Sequence, residues 1–384
     1  STSSIEGISA TSSSGPVYGG LAYVLGTATL SSTTASGVRA SSSSSYVHGG
    51  LLCVGDGGTA TLASVSTTGS VAGSASGGIQ GGLVEALSGG TAYLTSCSFA
   101  SAYAVAETAV ISGSLVYVET GATTHVTSCT STNATTVSDS GVVNGGVLYL
   151  GGVDGGVNGT AEVYDCQFDN TDVRSDSGRV HGGVVFFAAK SKAKVIGTSV
   201  TNSTISTDSG TINGGVVHVW KDANPMLERT TLFKARITAG TGDIMGGCIS
   251  ATQGRLSLDM TTVAGCRSKS ASGKVQGGGA LLSASAVLVM SNTTLFKDNS
   301  VADTELATCR GQKSCKGHTL YVAGATAVYM LPAPAGRWIA GNMCVVNRKA
   351  CAQTEDGKII DNNCGNTVAA CRQLASATGT VSCS

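Results

Sequence analysis

Asp139, Asp176 and Asp208 share one place, six residues before a paired glycine, in three successive stretches of the chain. Carboxylates repeated in this way can gather a hard cation or activate water. If the stretches stack, the three fall in one column about 5 Å apart, where like charges repel unless screened or bridged. A calcium ladder (Ca2+) is one reading. An exposed Asx turn in each Asp-Ser-Gly is the plainer one. Asparagine supplies a second chemistry: Asn133, Asn158, Asn202 and Asn292 each open an N-x-Ser/Thr sequon and are the candidate glycosylation sites. Cysteine supplies a third. Of 13 cysteines, seven crowd the last quarter, and Cys309, Cys315, Cys344, Cys351, Cys364 and Cys371 are the disulfide candidates, with Cys383 left over. Sequence neighbours pair most simply, but connectivity stays open. Their density argues for an oxidising compartment. Zinc is the rival, against which stand the lack of any CxxC and a single nearby histidine, His318.

These residues are positioned by a repeat. A glycine pair stands at Gly19-Gly20, Gly49-Gly50, Gly81-Gly82, Gly145-Gly146, Gly182-Gly183, Gly214-Gly215, Gly246-Gly247 and Gly278-Gly279, and a single Gly113 fills the gap. The commonest step is 32 residues, and one step of 37 holds a glycine-rich insertion at 151–159. So regular a period means a stack of like units. Each unit carries three short apolar stretches divided by Ser, Thr, Asn, Asp and Gly. No stretch joins helical periodicity to helix caps. The expectation is an all-β chain: a right-handed parallel β-helix of about nine or ten coils, with three strands per coil and therefore three sheets. Two columns point inward, one through Ala22, Leu52, Val84, Val116, Leu148, Val185, Val217, Ile249 and Leu281, the other through Val24, Val54, Ala86, Val118, Leu150, Phe187, Val219, Ala251 and Ser283. The glycines mark a corner that needs positive φ or close approach to the next coil. Cys97, Cys129 and Cys166 share a column that Thr198, Thr230, Thr262 and Thr294 continue, and read as packing.

Alternation then places Leu21, Leu51, Leu83, Leu115, Val147 and Val184, with Tyr23, Tyr117, Tyr149 and Phe186, on the outer face. An apolar stripe of that length marks a contact surface, with Tyr23, Tyr117, Tyr149 and Phe186 as interface candidates. The bland alternative is burial within wide coils or under a covering segment. The polar row before the glycines, His48 and His181 included, reads as hydrogen-bonded surface.

Composition narrows the function. Charged residues make up 12% of the chain, the formal net charge is zero and aromatics are 5%, so Val, Ala, Leu and Ile must build the core. A neutral surface without a basic face argues against nucleic-acid partners. No apolar run of membrane-spanning length is present, and the first residue, Ser1, suits a removed leader. The chain opens in mid-coil, which predicts that something covers that end. Residues 1–325 are expected to form the repeats, the first coil incomplete, and 326–384 a small Cys-rich module whose disulfides begin at Cys309.

Gly278-Gly279-Ala280-Leu281 followed by Phe296-Lys297-Asp298-Asn299 resembles the GGA(I/L)…FxxN repeat of polymorphic outer-membrane proteins, and the chain more widely resembles pectin-lyase-like β-helix proteins. The segment Tyr329 to Ile339, ahead of a cysteine-rich tail, is similar to segments of large secreted proteins of algae and other protists. These resemblances imply a β-helix and a secreted, cell-surface protein. Against the pectin-lyase-like enzymes, Asn170-Thr171-Asp172 matches an opening motif, while the following Asp pair, GHG and RIK are missing. The expectation is therefore a non-enzymatic, secreted structural or adhesive glycoprotein of a filament, wall or surface layer. Its partners would be copies of itself or other surface proteins. The alternative is a polysaccharide-binding or polysaccharide-cleaving protein.

Overall fold

The computed structural model describes residues 3–151, 159–291 and 294–301, and the backbone of short strands at 315–316, 320–322, 327–330, 343–345, 371–372 and 382–383. Among these residues there are strands and turns but no helix. The chain is a right-handed parallel β-solenoid in which each coil stacks in register on the last. Thr59 to Ala63 pairs with Thr27 to Ser31 on one side and with Thr91 to Thr95 on the other. Stacks of ten or eleven strands at the usual ~4.8 Å spacing give a rod roughly 45 Å long.

Each coil has five strands where the sequence pattern suggested three. In the coil from Thr33 to Ala63 they are Thr33–Ser36 (sheet I), Arg39–Ser42 (sheet II), Val47–His48 (sheet III), Leu52–Val54 (sheet IV) and Thr59–Ala63 (sheet V). Sheets I, II, III and V hold ten strands and sheet IV eleven, ending on Met343–Val345. One extra sheet comes from a stretch that reads as a single strand, and the other, sheet II, from the Ser- and Thr-rich stretch that reads as turn, where Thr135–Ser138 and Asp172–Ser175 are strands. Alternation runs unbroken through residues 161–168, yet Asp165 takes φ 52° and turns the chain between Thr160–Tyr164 and Gln167–Asp169. The same left-handed corner recurs at Ser32, Ser64, Ser96, Ser128, Gly197, Arg229 and Met260. A single residue in that conformation redirects a strand without spending a loop, so hydropathy does not reveal it.

The glycine corner lies between sheets III and IV. Gly49 has φ 57°, and a Cβ there would overlap the Leu52 carbonyl oxygen. A Cβ on Gly50 would overlap the carbonyl of Gly82, its counterpart one coil on. The column breaks once, at Ser114, whose hydroxyl donates to the Gly146 carbonyl.

The corner also disrupts alternation. Leu51, Leu83, Leu115, Val147 and Val184 sit inside the bend, fully buried in the main core. The outward stripe expected of them does not exist, because the residue after the second glycine points inward along with the two strand residues that follow. The inward columns hold from Leu52 and Val54 through Ile249 and Ala251. They slip in the last coil. There the positive-φ glycine is Gly277, and Ile249 and Ala251 pair with Ala280 and Leu282. Leu282 is therefore in the core, and Leu281 faces the other way. The same one-residue shift replaces Thr262 by Thr261 in the Cys/Thr column. In the FxxN element, Phe296 fills the core, while Asn299 accepts from the Cys266 amide and donates to the Val263 carbonyl.

Candidate functional site

Outside the glycine corner, sheets III and IV face one another across a groove that runs along the rod. Two rows of side chains meet in it. One precedes the glycines, among them Tyr18, His48, Gln80 and His181. The other is the middle residue of each sheet IV strand, among them Cys53, Glu85, Tyr117, Tyr149, Phe186 and His218. Three residues of the first row reach diagonally to the second row one coil along. His48 Nδ1 lies 3.0 Å from Glu85 Oε2, Gln80 Nε2 donates to Tyr117 Oη at 3.3 Å, and the His181 and His218 rings are 5.3 Å apart. This zipper closes the groove over its own lining, and Glu85 and His218 are wholly buried.

Four rings stack along the rod axis in the second row. Tyr117 to Tyr149 is 4.6 Å between centroids, Tyr149 to Phe186 is 5.2 Å and Phe186 to His218 is 5.5 Å. Tyr117, Tyr149 and Phe186 form an outer apolar cluster with Ala188. Three of the four interface candidates are thus buried by the facing row, because the corner turns two outward faces toward each other. Tyr23 alone stays open, 46% exposed, beside Tyr18 and near Tyr46 and His48. Trp220 is 37% exposed, farther along, beside His218.

Burial shapes the electrostatics of the groove. It pushes the Glu85 carboxyl up to about 7, against the hydrogen bond and charge of His48, which favour ionisation. Burial, then the charge of Arg179, takes His181 down to about 4. Burial likewise holds His218 well below its ordinary value, with His181 adding to it. Both imidazoles are neutral at pH 7. Burial pushes the Cys53 thiol and the Tyr117 phenol up as well, so neither is a ready nucleophile.

The other sequence candidates lie elsewhere. Asp139, Asp176 and Asp208 do align on the edge of sheet II, and Glu107, before the unpaired Gly113, belongs to the same row. Arg174 stands among them, its Nε 2.7 Å from Asp176 and its Nη2 3.9 Å from Asp208. The bridging charge that the ladder needs thus comes from the chain itself. No cluster of three or more His, Cys, Asp or Glu side chains placed to hold a metal occurs among the described residues. Asn133 and Asn202 are exposed at left-handed corners between sheets I and II. The Asn202 amide donates to Asp169 Oδ1 at 2.9 Å. Asn158, Asn292, Cys309, Cys351 and Cys364 lie outside the described residues. Of Cys315, Cys344 and Cys371 only the backbone is described, and Cys371 is the register partner of Cys383.

Cys97, Cys129 and Cys166 are free and buried. Among the described residues a disulfide joins Cys248 and Cys266, which were not among the disulfide candidates of the sequence. Its signal was present: the two stand 18 residues apart in one coil, both at inward places of the repeat.

No family model matches the chain, and no curated protein does. Among solved structures, a TibC-catalysed hyper-glycosylated TibA fragment is similar at 16% identity, covering 84% of this chain and all of that one, with a TM-score of 0.13. The fold therefore rests on this chain's own geometry.

Proposed function

We propose that the chain is a structural or adhesive element of an extracellular surface, a glycosylated rod that presents the same small polar side chains coil after coil. The observation that carries this reading is the outer face of the in-register stack. Thr27, Thr59, Thr91, Thr123 and Thr160 stand in one column of sheet V, and Ser66, Ser98 and Thr130 in one column of sheet I. A linear, nearly uncharged lattice of hydroxyls is suited to glycan attachment or to close lateral contact. No net charge holds copies apart. Sequons at exposed corners support a secreted setting. Lateral contact cannot use the aromatic row of the groove, which the fold itself covers, and must use the hydroxyl faces or the rod ends. Electron microscopy and sedimentation of the native material test the reading. Ordered lateral or end-to-end arrays are expected, and a strictly monomeric, unglycosylated rod would remove it.

One observation favours a second reading, polysaccharide binding. Tyr18, Tyr23 and Tyr46 are exposed together at one end of the groove, and aromatic faces of that kind stack on sugar rings. Binding of neutral or acidic polysaccharides that is lost in Tyr23→Ala and Tyr46→Ala would favour this reading over the structural one.

A further inference from the structure

Net neutrality hides a division along the rod. Residues 1–173 carry one basic side chain, Arg39, against eleven acidic ones, a formal charge of −10. Residues 174–301 carry fourteen basic against seven acidic, a formal charge of +7. Sequence order is stacking order in sheets I to V, so charge is separated along the rod axis. The division is sharpest on one flank. Glu107 and Asp139 lie exposed on the edge of sheet II, followed by Asp176 and Asp208 with Arg174 between them. In the next two coils the same sheet turns basic. Arg236 and Arg267 are register partners in adjacent strands, with Lys269 and Lys274 beside them, all four exposed. Cations on strands ~4.8 Å apart repel one another. Among the described residues no ion pair engages Arg236, Arg267, Lys269, Glu107 or Asp139. One face thus leaves open charges of both signs, ordered from acid to base.

We propose that this face of sheet II is the contact between two copies of the chain, packed side by side with their axes antiparallel. The inference rests on the structural reading above and adds the partner, its orientation and the force. Charge order selects the orientation. A two-fold axis between strands Asp172–Ser175 and Thr204–Thr207 lays the acid coils of each copy over the basic coils of the other. Strand Tyr103–Ala106 then opposes Arg267–Ser270, and Thr135–Ser138 opposes Arg236–Ala239. Tyr103, 38% exposed, meets Arg267, whose guanidinium can stack on the ring. Glu107 comes within reach of Lys269 and Lys274, and Asp139 within reach of Arg236. Equal coil spacing in the two rods keeps the match over all six strands. The outward residues between the charges are small, among them Thr135, Val137, Thr204, Ser206 and Thr238, so the faces can approach. A parallel pair would set like charge on like. An acidic polysaccharide would use the basic coils alone and leave the acid row of the same face unmatched.

The test is sedimentation of the full chain at two ionic strengths. Dimers are expected at about 10 mM salt, with association at least about tenfold weaker at about 150 mM, as the screening length falls from ~30 to ~8 Å. Two charge-reversed chains carry the argument further, Arg236→Glu with Arg267→Glu, and Glu107→Lys with Asp139→Lys. All four positions are exposed, so the fold is kept. Each chain alone is expected to stay monomeric, and a mixture of the two to pair. Carbodiimide coupling of isotopically distinct copies is expected to join Glu107 of one to Lys269 or Lys274 of the other. A chain that stays monomeric at low salt, and binds polygalacturonate through Arg236 and Arg267, would assign the basic coils to an acidic polysaccharide and overturn the proposal. So would dimers that neither reversal weakens, or couplings that join the rods end to end. Ordered arrays formed unchanged by both reversed chains would overturn this contact and leave the structural reading standing.

Discussion

Glu85 is the residue whose chemistry most exceeds its surroundings. Its carboxyl is buried against a single partner, His48, and titrates near 7 instead of the ordinary 4.5. A raised folded pKa means that the folded state binds the proton more tightly than the unfolded state does. The stability it contributes is complete below pH 4.5, falls as pH rises, and is gone above about 7. The span corresponds to about 3 kcal/mol. Glu85→Gln mimics the protonated form at every pH. Its Tm is therefore expected to match the parent near pH 4.5, to exceed it by a margin that grows up to about pH 7, and to keep that margin above. Thermal unfolding of both proteins across that range checks this, and parallel curves would show that Glu85 titrates normally.

At the scale of the element, a column behaves as one unit whatever its residue type. Cys97, Cys129 and Cys166 are followed by Thr198, Thr230 and Thr261, and the donors repeat one pattern. Cys129 Sγ donates to Thr127 and Leu94 carbonyls at 3.4 and 3.5 Å. Thr261 Oγ1 donates to Asp259 and Leu227 at 3.0 Å each, again the carbonyl two residues back and one in the preceding coil. Cys129→Thr should therefore be tolerated, with Tm unchanged or slightly raised. Cys129→Val keeps the volume but removes the thiol's bonds to both carbonyls, of which Thr127's keeps the Ser96 amide, and is expected to cost about 1 kcal/mol in denaturant unfolding. The glycine column obeys a stricter rule. A Cβ at Gly146 would meet the Gly183 carbonyl and the Val173 side chain, so Gly146→Val is expected to lower stability by about 3 kcal/mol or more. Ser114→Gly, which restores the commoner residue, should shift Tm by only a few degrees. Circular dichroism melts of the two variants separate the cases.

For the whole molecule, stacking makes the rod stiff and leaves its decoration at fixed intervals. Asn133 and Asn202 project from the same row of corners, two coils apart. Peptide mapping of secreted material should find glycans on both. Their absence from both would remove the secreted reading. Small-angle scattering should give an elongated particle whose long dimension is at least the roughly 45 Å of the stack. The Cys248–Cys266 bond clamps one coil from inside. It should survive mild reduction that opens exposed disulfides, and quantitative alkylation would detect its loss.

The glycine period by itself determined the solenoid, its parallel sense, the coil count and most of the two inward columns. Each follows from a fixed step repeated along the chain, and that information is local and additive. The number of sheets was not legible, because a left-handed Ser, Asp or Arg turns one strand into two without interrupting its alternation, and because the Ser- and Thr-rich strands of sheet II carry the composition of turns. Nor was the fate of Tyr117, Tyr149 and Phe186. Alternation assigned them correctly to the outside of their own sheet, but whether outside means solvent depends on the angle at which the next sheet meets it. The Gly-Gly corner turns sheet III against sheet IV, so an outer row became a second interior, and His218, Glu85 and their partners came together from different coils. Contacts between coils depend on register, and one deleted residue before Gly277 is enough to shift it. Register is a property of the stacked whole, settled by which side chains fill the core, and only the tertiary structure carries it.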